Sequence, residues 1–207
     1  MTGDGVERRL AAIMSADVAG YSRLMGKDEA GTLAALKALR REVFAPQVSA
    51  HNGRIVKLMG DGALVEFPSI VQAVDCAVAV QRGLAGRNAD PAIKLRIGIN
   101  LGDIIIEGSD IYGDGVNLAA RIQEVTEPGG IALSGPVFDR VAGKVEATFA
   151  DAGEQELKNI AKPVRIYHWS EDDADRQLEK AGTKDTLPLP DKPHPPPLDY
   201  NHPSLSI

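Results

Sequence analysis

Two short segments of this chain each place an aspartate beside glycine at the end of an apolar run. Asp17 lies in the first segment, residues 15–22, and Asp61 lies in the second, residues 57–62. Carboxylate oxygens are the ligands that Mg²⁺ prefers, and glycine lets backbone N–H groups approach phosphate oxygens closely. A third segment, residues 110–121, adds a carboxylate, an amide and a guanidinium. Together the three segments indicate metal-assisted chemistry on a nucleotide.

Each of these residues also has an ordinary structural explanation. Asp17 is suited to an Asx-turn or a helix cap, and Asp61 stands in a Gly-Asp-Gly sequence that is typical of hairpin turns. Lys57 fits the solvent side of an edge strand. Asn117 and Arg121 are spaced i, i+4, so they share one helix face. That face could simply be a polar face exposed to solvent. The functional interpretation depends on a fold that brings these residues together.

The order of the predicted elements indicates such a fold. The elements of the first half are, in order, a strand over 10–18, a helix over 27–43, strands over 54–59 and 63–67, a helix over 69–87 and a strand over 93–101. This is the βαββαβ order of a ferredoxin-like α+β sandwich. We predict extra C-terminal elements, namely a helix from Gly115, strands over 131–134 and 164–169, and a short helix over 139–142. The first strand and the central hairpin are neighbours in this fold, so Asp17 and Asp61 can surround a common pair of ions.

Two apolar patterns predict which faces are buried. Along residues 93–101 apolar side chains alternate with polar or small ones, among them Arg96 and Asn100. One face of this strand should therefore be buried and the other exposed to solvent. In the helix from Gly115, the apolar stripe is formed by Leu118, Ile122 and Val125.

The composition of the 207-residue chain limits the possible functions. The net charge is -6 and Lys and Arg are not clustered, so no nucleic-acid partner is expected. No apolar stretch reaches about 18 residues, so no membrane segment is expected, and the first residues lack the pattern of a signal peptide. The single cysteine, Cys76, excludes an internal disulfide and fits the cytoplasm, and its apolar helical surroundings predict a core residue. The four histidines lack the spacing of zinc ligands.

A change of composition near residue 170 divides the chain. Residues 170–207 hold seven of the 13 prolines and eight acidic against four basic residues. Such a segment buries too little apolar surface to offset the entropy lost on ordering it. We interpret residues 170–207 as a Pro-rich acidic linker or disordered tail, and residues 1–169 as the folded domain.

Four segments of that domain resemble, in order and in spacing, the catalytic domain of class III adenylate cyclases of the bacterial adenylate/guanylate cyclase family. They are residues 16–22, 54–62, 96–102 and 110–121, and the likeness extends over residues 7–169. The resemblance implies conversion of ATP to 3′,5′-cyclic AMP and pyrophosphate, by in-line attack of the ribose 3′-hydroxyl on the α-phosphate with two Mg²⁺ (or Mn²⁺) ions. It also implies a homodimer whose active sites are shared between subunits.

The resemblance also implies where the metal ions and phosphates bind. Asp17 and Asp61 are similar to the metal aspartates of the family, and the Val18 carbonyl is a further ligand. The fold adds the backbone N–H groups next to Asp17 as contacts to the β- and γ-phosphates, those of Gly20, Tyr21 and Ser22. The family has a phosphate-binding lysine near the C-terminal strand, and the spacing does not choose between Lys158 and Lys162.

The nucleoside contacts follow in the same way. Lys57 and Asp110 are similar to the pair that reads the purine. Asn117 resembles the residue that positions the ribose, and Arg121 resembles the one that neutralises the transition state. Adenine presents an acceptor at N1 and a donor at N6, which suit a lysine and an aspartate. Guanine reverses both groups and would leave buried polar groups unpaired, which costs several kcal/mol.

Other proteins use the same fold for other functions. A diguanylate cyclase should carry a Gly-Gly-Asp/Glu-Glu-Phe turn at the hairpin, and residues 59–63 read Met-Gly-Asp-Gly-Ala instead. A non-catalytic nucleotide-sensing or dimerisation module commonly lacks a metal aspartate or the arginine, and this chain has both. That module and a cyclase that accepts GTP stay as alternatives to an adenylate cyclase.

Overall fold

The computed structural model describes residues 7–87 and 93–171, which form one eight-stranded mixed sheet with helices on both faces. The strands are β1 (Glu7–Val18), β2 (Arg54–Met59), β3 (Gly62–Phe67), β4 (Leu95–Glu107), β5 (Asp110–Tyr112), β6 (Ile131–Ser134), β7 (Ala150–Gln155) and β8 (Val164–Trp169). The helices are α1 (Tyr21–Lys27), α2 (Glu29–Leu39), α3 (Ala45–Ala50), α4 (Ile70–Ala85), α5 (Asp114–Glu124) and α6 (Gly135–Val141). A π-helical turn over Arg40–Phe44 joins α2 to α3.

The order of the strands across the sheet is β2-β3-β1-β4-β6-β8-β7, and β5 pairs with the C-terminal part of β4. β1 is antiparallel to both β3 and β4, β2 is antiparallel to β3, and β6 runs parallel to β4. The first four strands and their connecting helices therefore form the βαββαβ core of a ferredoxin-like sandwich. The prediction of an α+β fold with extra C-terminal strands and a helix is confirmed.

Each face of the sheet has its own hydrophobic core, because alternate residues of a strand point to opposite faces. One face of β1 packs under α2 and α4 and the other under α5; the residues are Ala12, Met14, Ala16 and Val18 on the first face, and Ala11 and Ile13 on the second. Cys76 of α4 is completely buried in the first core, and burial raises the pKa of its thiol to about 12. The prediction that Cys76 is a core residue is confirmed.

The prediction that β4 exposes one face to solvent is wrong. Helix α5 covers that face, and Gly98 and Asn100 are buried beneath it. A Cβ atom on Gly98 would lie 2.3 Å from the backbone nitrogen of Gln123 in α5, so this close approach needs glycine. Asn100 is satisfied in the interior, since its Nδ2 donates to the Gly115 carbonyl at 3.1 Å and its Oδ1 accepts from the Ser134 hydroxyl at 2.9 Å.

Other local features also differ from the predictions, among them the short helix expected over 139–142, which the structure has as α6 over Gly135–Val141. The helix predicted over 27–43 begins instead at Glu29, because the Asp28 side chain accepts from the N–H of Gly31 at 2.9 Å and caps a new helix. Strand β7 is not predicted, because its residues are small and polar and show no apolar alternation. Val125 lies just beyond α5 and is 38% exposed, so it is not part of the buried stripe.

Within residues 7–87 and 93–171, no helix has both the length and the apolar character that crossing a membrane requires. Only residues 170 and 171 of the predicted linker or tail belong to the described part of the chain. The division of the chain near residue 170 stays a prediction.

Candidate active site

Asp17 and Asp61 lie at the same end of the central strands. In the ladder between β1 and β3, Ala16 is opposite Ala63, so Asp17 is the next residue outward on β1. Asp61 belongs to the two-residue turn between the paired ends of β2 and β3. The strand order therefore brings the two carboxylates to one end of the sheet.

The turn that carries Asp61 is held by Arg40 from the helical layer. Its Nη2 donates to the Gly60 carbonyl at 2.6 Å and to the Gly62 carbonyl at 3.3 Å, so it bonds both neighbours of Asp61. Arg40 is the first residue of the π-helical turn, a distortion that is frequent at functional sites. The backbone on both sides of Asp61 is thereby fastened to the helix that packs beside it.

Asp17 has a cationic partner in the structure. Arg96 is directly opposite it in the ladder between β1 and β4, and donates from Nε to Oδ1 at 2.9 Å and from Nη2 to Oδ2 at 2.5 Å. The hydrogen bond with Asp17 raises the pKa of Arg96, and the negative charges of Asp17, Asp61 and Glu124 raise it further. Arg96 therefore supplies positive charge to the acidic end of the sheet.

The possible metal ligands at this end of the sheet are oxygen atoms. The carboxylates of Asp17 and Asp61 are among them, and the Val18 carbonyl follows Asp17 in the chain. Among the residues that the structure describes, no group of three or more His, Cys, Asp or Glu side chains could hold an ion by itself. Mg²⁺ commonly binds one or two carboxylates together with water and the phosphate oxygens of a substrate. The residues fit Mg²⁺ on that basis.

Lys57 and Asp110, which are 53 residues apart in sequence, are bonded to each other in the structure. The Lys57 ammonium donates to Asp110 Oδ2 at 2.5 Å, and the backbone N–H of Ile111 donates to Oδ1 at 2.8 Å. The bond from Lys57 holds the pKa of Asp110 below its ordinary value. The ammonium also lies 5.4 Å from the centre of the Tyr112 ring, within the range of a cation–π contact. The structure therefore pairs a donor and an acceptor on the α5 side of the sheet.

Helix α5 carries Asn117 and Arg121. Asn117 is exposed, and Arg121 donates from Nη1 to Glu124 Oε1 at 2.5 Å on the helix surface. The helix is fixed against β4 by a close backbone contact, since a Cβ atom on Gly102 would lie 2.7 Å from the Cα of Gly115. Both side chains are thus presented by a helix whose position is set by packing.

The three residues predicted to bind phosphate through backbone N–H groups follow β1 directly. Gly20, at φ +67°, turns the chain into α1, which begins at Tyr21 and Ser22. The first N–H groups of a helix have no partner within that helix. Because Gly20, Tyr21 and Ser22 follow the end of β1 that carries Asp17, their N–H groups lie at the aspartate end of the sheet.

Lys158 and Lys162 are exposed in the loop between β7 and β8. β6 is parallel to β4 and β8 is antiparallel to β6, so this loop lies at the end of the sheet opposite Asp17 and Asp61. The structure does not bring either lysine to the aspartates of the same chain, and it does not choose between them.

The family to which this site belongs follows from its sequence relatives. The family model of the adenylate and guanylate cyclase catalytic domain matches residues 7–171. The chain belongs to that family. A putative adenylate cyclase 3 of Rhizobium meliloti (strain 1021) is 47% identical to this cyclase domain over 197 residues, which are 93% of this chain and 34% of that protein. The match covers about a third of the length of this relative, and less than half of the length of the other curated relatives compared.

Solved structures of cyclases share the fold of this domain. The adenylate/guanylate cyclase/hydrolase from Silicibacter pomeroyi is 43% identical, with a TM-score of 0.76 over 80% of this chain and 99% of that one. The guanylyl cyclase Cya2 is 25% identical, with a TM-score of 0.69 over 79% of this chain and 93% of that one. Both a protein named adenylate/guanylate cyclase/hydrolase and one named guanylyl cyclase are therefore similar to this cyclase domain. The choice between ATP and GTP depends on the residues of this domain.

Two arginines at the aspartate end of this cyclase domain, Arg96 and Arg40, are not among the predicted site residues. Arg96 could have been found, because the fourth strand of a βαββαβ sandwich lies antiparallel beside the first, which makes Arg96 a cross-strand neighbour of Asp17. Arg40 could not have been found, because the direction of its side chain depends on a π-helical turn, and no sequence pattern marks that turn.

Proposed function

We propose that this cyclase domain converts ATP to 3′,5′-cyclic AMP and pyrophosphate. The observation that carries the proposal is the Lys57–Asp110 pair, which offers a hydrogen-bond donor beside an acceptor. Adenine has an acceptor at N1 and a donor at N6, so Lys57 and Asp110 match its edge. Guanine has a donor at N1 and an acceptor at O6, and either mismatch leaves polar groups unpaired.

The aspartate end of the sheet supports the phosphate chemistry. Mg²⁺ or Mn²⁺ would be held by Asp17, Asp61 and the Val18 carbonyl, and the β- and γ-phosphates by the backbone N–H groups of Gly20, Tyr21 and Ser22. Such ions, when bound, make the ribose 3′-hydroxyl more acidic and offset the charge of the leaving pyrophosphate.

Side chains of α5 and of the β7–β8 loop act on the rest of the nucleotide. Asn117 orients the ribose so that its 3′-oxygen lies in line with the α-phosphorus. Arg121 donates to the α-phosphate oxygens as negative charge accumulates in the transition state. Lys158 or Lys162 contacts the phosphate tail.

We further propose a homodimer with two shared active sites. The β7–β8 loop lies at the opposite end of the sheet from the aspartates, so one chain does not bring its own lysine to its own metal ligands. In a head-to-tail dimer, one subunit supplies the aspartates of a site and the other supplies its nucleoside contacts, Lys57, Asp110, Asn117 and Arg121.

The reaction is tested by mass spectrometry of the nucleotides after incubation with ATP or GTP and Mn²⁺. We expect cyclic AMP and pyrophosphate from ATP and much less product from GTP, and no product from an Asp17→Ala control. Cyclic GMP as the main product would overturn the choice of ATP. If both nucleotides stay intact, the enzyme proposal fails in favour of a non-catalytic nucleotide-sensing or dimerisation module.

Shared sites are tested by mixing two inactive variants. Asp17→Ala and Arg121→Ala should each lose on the order of 10²-fold or more in rate. In an equimolar mixture half of the dimers are mixed, and each has one intact site, so roughly a quarter of the wild-type activity should return. Each variant alone at the same total concentration is the control. No recovery at any mixing ratio would count against shared sites.

A further inference from the structure

The carboxylate of Glu66 is held by two arginines on the α5 side of the sheet. Arg9 of β1 donates from Nη2 to Oε1, and Arg54 of β2 donates from Nη2 and Nε to Oε2 at 2.7 and 3.2 Å. The Glu66 side chain is 5% exposed, whereas those of Arg9 and Arg54 are 40% and 45% exposed. A buried carboxylate needs charged partners, and one arginine would already neutralise it. Neutralising Glu66 therefore does not explain why both Arg9 and Arg54 are present.

Arg54 has a further partner that Arg9 lacks. Its Nη1 donates to the backbone carbonyl of Ser109 at 2.9 Å. Ser109 lies in the turn between β4 and β5, directly before Asp110. One guanidinium thus ties β2 and β3 to the hairpin that carries Asp110.

This tie differs in kind from the other link between the same two elements. Within residues 7–87 and 93–171, two side-chain hydrogen bonds join β2 to the β4–β5 hairpin, from Arg54 to Ser109 and from Lys57 to Asp110. The Lys57–Asp110 bond must open, or be shared, when these two side chains turn to a purine. The bond from Arg54 uses a backbone carbonyl and can persist with a base in the site.

We propose that Arg54 is a positioning residue that sets the separation of Lys57 from Asp110 and, through it, the purine selectivity of the site. The inference rests on the proposed role of that pair in reading adenine. Arg54 is anchored on Glu66 and keeps the hairpin beside β2 after the Lys57–Asp110 bond has opened. Without this tie Asp110 can move away from Lys57, and a donor and an acceptor at a variable spacing discriminate poorly between adenine and guanine.

Arg9 provides a matched control, because each arginine makes an ion pair with Glu66 but only Arg54 reaches Ser109. Arg54→Met and Arg9→Met each remove one partner of the same carboxylate, so both should lower thermal stability, Arg54→Met by the larger amount because Arg54 makes more hydrogen bonds. In the full chain, Arg54→Met should lower kcat/KM for ATP by about tenfold and leave kcat/KM for GTP within about twofold, so the ATP:GTP ratio falls about tenfold. Arg9→Met should leave that ratio unchanged.

Hydrogen exchange of the nucleotide-free chain gives a second measurement that does not depend on turnover. Arg54→Met should speed the exchange of backbone amides 108–112, and Arg9→Met should not. If the wild-type chain makes no cyclic nucleotide, the proposed function fails, while faster exchange in Arg54→Met alone still supports the tie to the hairpin.

Two results would overturn the positioning role of Arg54. One is an ATP:GTP ratio that is the same in Arg54→Met and Arg9→Met, and the other is equal exchange of amides 108–112 in both variants. If Arg54→Met does not fold, Arg54→Gln replaces it, because its shorter amide can bond Glu66 but cannot also span to Ser109. The ATP:GTP ratio and the exchange of amides 108–112 in Arg54→Gln are then compared with those in Arg9→Met, and the same results would overturn the proposal.

Discussion

Replacing Arg96 by methionine should tighten the binding of Mn²⁺ to the nucleotide-free chain. Both carboxylate oxygens of Asp17 accept hydrogen bonds from Arg96, at 2.9 and 2.5 Å, and Asp17 is one of the proposed metal ligands. An incoming cation therefore competes with a guanidinium for the same carboxylate. Methionine keeps the apolar part of the side chain but offers neither charge nor donor.

The size of the effect follows from the burial of this pair. The side chains of Arg96 and Asp17 are 27% and 23% exposed, so solvent screens the pair in part. A hydrogen bond between charged groups contributes about 1.5–3 kcal/mol when shielded, and an exposed ion pair about 0–1 kcal/mol. We take about 1.5 kcal/mol as the interaction that the cation must replace, which corresponds to about tenfold in Kd.

Electron paramagnetic resonance of free Mn²⁺, titrated against the chain, measures this binding directly. Arg165→Met is the matched control, because Arg165 makes the same kind of two-pronged ion pair with Asp151 at the far edge of the sheet. Its Kd should equal that of the wild type. Adding Asp17→Asn to Arg96→Met should abolish the increase in Mn²⁺ affinity. Unchanged or weaker Mn²⁺ binding in Arg96→Met would refute the competition, and would mean that Arg96 holds Asp17 in place for the ion.

Three further outcomes concern the scaffold. Gly98→Ala should lower the free energy of unfolding in urea by about 3 kcal/mol, because its Cβ would lie 2.3 Å from the Gln123 nitrogen, whereas Gly86→Ala, with open space around it, should cost far less. Cys76, whose thiol pKa burial raises to about 12, should react with a disulfide reagent only after unfolding, and rapid labelling of the native chain would contradict its burial. Burial lowers the pKa of His168 below 6.5, so the unfolded chain binds the proton first as the pH falls. The melting temperature should therefore drop from pH 7.5 to 5.5, and should drop less in His168→Gln, with equal drops in both chains counting against this origin.

The strand pattern could be predicted from the sequence wherever each strand carries its own signal. β2, β6 and β8 have the bounds that their apolar residues indicate, and the βαββαβ order suffices to bring Asp17 and Asp61 to one end of the sheet. β7 could not be predicted, because its pairing is decided by β8 and not by its own small and polar residues. The buried second face of β4 could not be predicted for a related reason: Gly98 and Asn100 are residue types common on a solvent-facing strand, and only α5 covers them.

The contacts of Arg40 with the hairpin turn and of Arg54 with the β4–β5 turn could not be assigned from the sequence, because the groups that accept them are backbone carbonyls far away in the chain. Arg40 bonds Gly60 and Gly62, and Arg54 bonds Ser109. A carbonyl is present at every residue, so no residue type marks the receiving position. The charged pairs with a recognisable family pattern, such as Lys57 with Asp110, could be predicted; the supports that hold them required the structure.

The β2–β3 hairpin has a consequence for how two shared sites would communicate. Lys57 lies in β2 and Asp61 lies in the turn that follows it, four residues further along the chain. In the proposed dimer, Asp61 serves one active site while Lys57 of the same hairpin serves the other. Arg40 fastens the hairpin at its tip and Arg54 fastens it at its base, so both positions shift together. Nucleotide binding in one site should then change the affinity of the other site for nucleotide. The two sites would be cooperative, and the plot of rate against substrate concentration should deviate from a simple hyperbola.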